Sequence, residues 1–171
     1  RDAICRLVLH GSAVPAYSML PITFDAHTNY QELQKFDPER AKKLIEEAGY
    51  PGGRGFPTIE MWLRQPRPDI RMVGEVIQAM LHENLGINIT FRSADYPVFT
   101  SYMFNWDINL GLVPFFADYR DPKNMLDMIW RPGSRGRSRH DFENSRFLSL
   151  LEAADQEIDE GKRTAIFRQA E

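Results

Sequence analysis

Ile59, Met61 and Leu63 alternate with Glu60 and Trp62, the period of two that sends successive side chains to opposite faces, and predict a strand over residues 58–63. Over residues 69–85 the period changes: Ile70, Val73, Ile77, Met80 and Leu81 share one helical stripe, which Gly86 ends. Ile87, Ile89 and Phe91 then alternate with Asn88, Thr90 and Arg92. Strand, helix and strand joined by short connections predict a right-handed crossover between two parallel strands, hence an α/β layer with a small mixed or parallel sheet flanked by helices. A short helix is expected over residues 97–104. After it Trp106, Ile108 and Leu110 alternate with Asp107, Asn109 and Gly111 as a third strand.

Helices frame this layer. Residues 1–10 place Ile4, Leu7 and Val8 at helical spacing, and Gly11 offers the left-handed stop. Residues 15–32, with Pro15, Pro21, Asp25, Thr28 and Asn29, read as an extended connection. Asp37-Pro38 is a cap followed by proline at the first helical position, and Ala41, Leu44, Ile45 and Ala48 continue the helix to Gly49. Residues 51–57 hold two prolines and three glycines and break the chain before the first strand. Asp121-Pro122 repeats the cap, with Met125, Leu126, Met128 and Ile129 on the helix face. Phe147, Leu151, Ala154 and Ile158 predict another helix, a break follows at residues 159–161, and Ile166, Phe167 and Ala170 mark the last one. Both ends open and close in mid-pattern, so the chain is expected to be one domain over residues 1–171, cut from something longer.

Composition narrows the functional classes. A chain of 171 residues, 43% hydrophobic, can bury its own core. A net charge of -3 gives no global drive toward nucleic acid or an anionic membrane, both of which reward a basic excess. No apolar run reaches the roughly 18 residues of a membrane span, and no signal sequence opens the chain. Cys5 has no internal partner for a disulfide. His10, His27, His82 and His140 are scattered and show no metal-ligand spacing, no serine sits in a nucleophile elbow, and no glycine-rich loop joins a strand to a helix. Neither a metal, a cofactor nor a catalytic group is therefore expected. Arg131, Arg135, Arg137 and Arg139 lie among Gly and Ser without aromatic residues between them and read as a solvated loop.

Candidate chemistry concentrates in residues 115–125, where Phe115, Phe116, Asp118 and Tyr119 sit on an irregular segment between the third strand and a proline-started helix. Such a segment gathers polar and aromatic tips around a guest while the scaffold stays rigid. Asp118 is the candidate ligand-facing carboxylate; the plainer alternative is that Asp118 and Asp121 both cap turns. Arg64 ends the first strand, and ligands of open parallel sheets gather beyond the carboxyl ends of strands.

The stretch Phe36-Asp-Pro-Glu-Arg-Ala-Lys-Lys-Leu-Ile-Glu-Glu-Ala-Gly-Tyr-Pro51, with Gly55-Phe-Pro57, resembles a block of the family 5 extracellular solute-binding proteins, the dipeptide, oligopeptide and nickel receptors of ABC importers. Val76-Ile-Gln-Ala-Met-Leu81, Leu85-Gly-Ile-Asn-Ile89, Ala117-Asp-Tyr-Arg-Asp-Pro122 and Ala153-Ala-Asp155 with Lys162-Arg163 are similar to further blocks in the same order. The resemblance implies most of the C-terminal lobe of a two-lobed, non-enzymatic, monomeric receptor, periplasmic or lipid-anchored, that hands a peptide or other small solute to a membrane permease. It implies that Asp118 pairs with a peptide's α-amino group and that Phe115 stands where the family often has Trp. Some oligopeptide receptors carry an Arg just upstream of this block, and this chain has none. Receptors for nickel chelates, sugars or opines are the alternative within the family, and an enzyme domain is the alternative outside it.

Overall fold

Met61, Trp62 and Leu63 are all buried, because their strand, β1 (Ile59–Arg64), is the central one of a three-stranded sheet ordered β2-β1-β3. The computed structural model describes residues 1–65 and 67–171. β2 (Ile89–Ala94) and β3 (Leu110–Leu112) both run parallel to β1, with Ile59 opposite Ile89 and Met61 opposite Leu110. A central strand is covered on both faces. The expected alternation therefore fails at Trp62, whose indole packs on Tyr102 with ring centroids 4.7 Å apart and lies 4.2 Å beneath the Arg92 guanidinium.

Met61, Leu63, Ile87 and Ile89 form the core on the sheet's other face, with Ile70, Ile77, Leu81 and Leu85 of α2 (Pro68–Leu85) packed against it. Gly74 lets that helix come close: a methyl group there would stand 3.2 Å from Phe91 Cε1 and 3.3 Å from Leu63 Cδ2. α2 is the crossover that the period change predicts. It follows α1 (Pro38–Glu47), whose Asp37 carboxylate accepts the Arg40 N–H at 3.0 Å. α3 (Tyr96–Phe104) buries Phe99. The opening helix is shorter than predicted: a π-helical turn at Ile4–Val8 gives way to His10 and Gly11, both at positive φ.

One strand is also shorter than its pattern. Trp106 takes a φ of 59°, and the N–H groups of Trp106 and Asp107 bond back to the carbonyls of Met103 and Tyr102 at 3.0 Å. Those bonds close a turn that a strand cannot contain, so Trp106 is a turn residue and only Leu110–Leu112 joins the sheet.

The chain divides into two compact units. The first comprises Arg1–Pro15, Lys35–Tyr102 and Asp107–Pro114; the second comprises Ala16–Gln34, Met103–Trp106 and Phe115–Glu171. The second has its own core, in which Leu126 of α4 (Pro122–Trp130), Phe147, Leu151 and Ala154 of α5 (Ser145–Gln156) and Phe167 of α6 (Glu160–Ala170) surround Leu20, Phe24 and Ala26. The proline-bearing connection is thus an element of this core. It is tied down by the Glu171 carboxylate, which accepts the Leu20 N–H at 3.0 Å, the Thr28 N–H at 2.8 Å and the Ser18 hydroxyl. Ile158, expected on the face of α5, is 94% exposed, because the helix ends at Gln156 and Glu157 turns to extended backbone.

Candidate ligand-binding segment

Two aspartates stand close together in the segment before α4, and the structure gives them different work. Asp121 is the helix cap: its carboxylate accepts the Lys123 N–H at 2.8 Å and receives Arg163 of α6 through two bonds of 2.7 and 3.0 Å. Burial alone would raise its pKa, but the Arg163 guanidinium and the Lys123 N–H outweigh it and hold the carboxyl below the usual carboxylate range.

Asp118 is held only by its backbone, whose N–H donates to Asn124 Oδ1 at 3.0 Å. Asn124 is fully buried, and its Nδ2 lies 3.0 Å from Met128 Sδ. The backbone is thereby satisfied without the Asp118 side chain, which is exposed and whose carboxylate makes no hydrogen bond or ion pair with another described residue. Phe116 and Tyr119 are exposed beside it, and Phe115 is half-buried. These four residues, with the polar atoms of Asp118 turned outward, can offer aromatic faces and one negative charge to a solute.

Arg64 belongs to the first unit. At the carboxyl end of β1 it donates to the Pro114 carbonyl, where the chain leaves β3, at 3.3 Å, and its guanidinium lies 5.3 Å from the Tyr96 ring centroid.

Sequence reasoning missed three residues around the segment. Asn124 falls four positions before Met128 on the face of α4, and a polar residue on an apolar stripe was the available signal. Ser138 and Arg139 come from the loop expected to be solvated. Ser138 is buried and donates to the His140 carbonyl at 2.7 Å, while Arg139 lies over the rings of Phe104 and Phe115. The aromatic partners come from distant positions, so local composition held no trace of them.

His140 stacks on Trp130 with centroids 4.5 Å apart, and the Trp130 N–H and His140 Nε2 are buried without hydrogen-bond partners among the described residues. Burial, reinforced by the neighbouring Arg139 charge and opposed by Asp141, pushes its pKa below the ordinary 6.5. An unfolded chain would therefore take up this proton first, so stability falls as pH drops from about 7 to 5. The His140→Phe variant should lose less stability over that window in urea titrations; an equal loss in both proteins would sink the assignment.

Residues 1–137 match the family profile described as bacterial extracellular solute-binding proteins, family 5 middle. The oligopeptide-binding protein OppA of Bacillus subtilis (strain 168) is 24% identical over the whole of this chain, which covers 32% of that protein. Heme-binding protein A of Haemophilus influenzae is 29% identical, again over the whole chain and 31% of its own length. Among solved structures, a dipeptide binding protein from Pseudoalteromonas sp. SM9913 in complex with Met-Leu superposes with a TM-score of 0.85 at 26% identity, over 99% of this chain and 34% of that one. The chain thus spans about a third of the length of the curated relatives it matches.

Proposed function

This chain belongs to the bacterial extracellular solute-binding proteins, family 5, and from that membership we propose that it is part of the C-terminal lobe of a two-lobed, extracytoplasmic receptor that delivers a peptide to an ABC permease. One observation carries the reading. Asp118 has a backbone satisfied by a buried Asn124 and a carboxylate with no partner among the described residues, the arrangement needed to receive a cation from outside. The α-ammonium group of a peptide is such a cation, and its bond to a carboxylate is charge-assisted. Phe115, Phe116 and Tyr119 supply the apolar and aromatic surroundings that weaken competition from water. Arg64, at the carboxyl end of β1, is proposed by itself as a ligand-facing residue of the first unit.

The role is binding and release, not turnover, and the protein is proposed to act as a monomer. A second reading has its own support: the relative named for heme binding makes a flat non-peptide solute, such as a metal chelate, the rival cargo. Mass spectrometry of solute released from the full-length receptor, purified without denaturation, separates the two. Peptides with free amino termini are expected; a tetrapyrrole or a nickel chelate in their place would overturn the peptide assignment.

A further inference from the structure

Arg139 is tied both to the end of a helix and to two aromatic rings. Its Nε donates to the Met128 carbonyl at 3.1 Å. That carbonyl lies in the last turn of α4, where backbone acceptors lack partners within the helix and a cation is favoured by the helix dipole. The guanidinium then lies 5.6 Å from the ring centroid of Phe115 and 5.8 Å from that of Phe104, both within cation–π range.

The loop that carries Arg139 is itself anchored. Gly136 N–H donates to the Phe104 carbonyl at 2.7 Å, and the Trp106 indole N–H donates to the Ser138 carbonyl at 3.1 Å. The Ser138 hydroxyl also bonds within the loop, so the backbone on either side of Arg139 has little freedom.

We propose that Arg139 is a positioning residue for the solute site: together with Asn124 it pins the Phe115 to Asp118 segment to α4 at two points before any solute arrives. Asn124, in the first turn of α4, fixes the backbone at Asp118. Arg139, bonded to the last turn of the same helix, fixes the ring of Phe115. A segment ordered in advance loses less conformational entropy on binding, so the gain appears as affinity rather than as a new contact to the solute. The inference rests on the reading of residues 115–119 as ligand-binding.

The test uses the full-length receptor, calorimetry with free-amino di-, tri- and tetraalanine, and the variants Arg139→Gln, Arg139→Lys and Asp118→Ala. Gln can still donate to the Met128 carbonyl but carries no charge, and it should weaken binding about tenfold. Lys restores a cation over the rings and should bind within about threefold of the wild type. Rescue by charge is what a merely structural role would not produce, and unfolding midpoints measured alongside show that the affinities belong to folded protein. Wild-type affinity in Arg139→Gln, or an equal loss in Arg139→Lys, overturns the proposal. If Asp118→Ala weakens binding while Arg139→Gln does not, the Arg139 role alone falls. If Asp118→Ala binds as the wild type, or the wild type binds none of the three peptides, the reading beneath it falls as well.

Discussion

Replacing Asp118 with Ala is expected to cost the full-length receptor roughly 2–5 kcal/mol of affinity for a free-amino peptide, the range seen when one partner of a desolvated charge pair is removed. That is about 30- to 5,000-fold in dissociation constant. The size follows from where the charge sits. On the proposed reading, closure of the receptor's two lobes excludes water, and a pair of charges that is weak in bulk water becomes strong. Removing the carboxylate then leaves the ammonium group buried and unpaired. The same substitution should change stability little, because the Asp118 backbone keeps its bond to Asn124 and the side chain bonds to nothing among the described residues. Asp121→Ala should show the reverse. Its carboxylate caps α4 and binds Arg163, so folding suffers directly and affinity follows only as far as α4 loosens.

Phe167→Ala is the second large effect, with an expected loss of about 3–5 kcal/mol of folding stability. Phe167 is 1% exposed, lies in the core with Leu20, Leu126 and Leu151, and carries the Arg163 guanidinium 4.7 Å above its ring. Truncation removes the buried ring area, leaves a cavity among helices from three parts of the chain, and deprives Arg163 of the surface that steadies it toward Asp121. Ile158→Ala is the internal control. The sequence pattern assigns both residues to apolar helical faces, yet Ile158 is 94% exposed, so its substitution should stay within about 0.5 kcal/mol of the wild type. Urea titrations of both variants decide the matter; equal losses would mean that the core does not close around Phe167.

Features set by near neighbours were legible in the sequence. Both Asp-Pro caps start helices where the sequence places them, and the β1-α2-β2 crossover is parallel as the change of period implies. The failures involve partners far along the chain. Trp62 is buried because β1 became the central strand, a fact of strand order. Trp106 leaves the strand because its turn is closed by α3 and its indole finds Ser138. Leu20, Phe24 and Ala26 enter a core although their stretch has no period, because Glu171 gathers its backbone N–H groups.

Within the segment, the sequence left the two aspartates alike. Asp118 and Asp121 have the same side chain three positions apart, and either could have capped the turn. What separates them is that Arg163 and the start of α4 engage Asp121 while Asn124 relieves Asp118 of local duty. Arg163 lies 42 residues from Asp121, so nothing local to the segment announces it.

The central claim is that the carboxylate at position 118 recognises the cationic end of the cargo. Its most direct test is a thermodynamic cycle by calorimetry on the full-length receptor, pairing wild type and Asp118→Asn with a tetrapeptide and its N-acetylated form. The account predicts a coupling of at least about 1.5 kcal/mol, as close interfacial charge pairs give, with acetylation costing the wild type heavily and the variant little. A coupling near zero, or equal binding of free and acetylated peptide to the wild type, would contradict it.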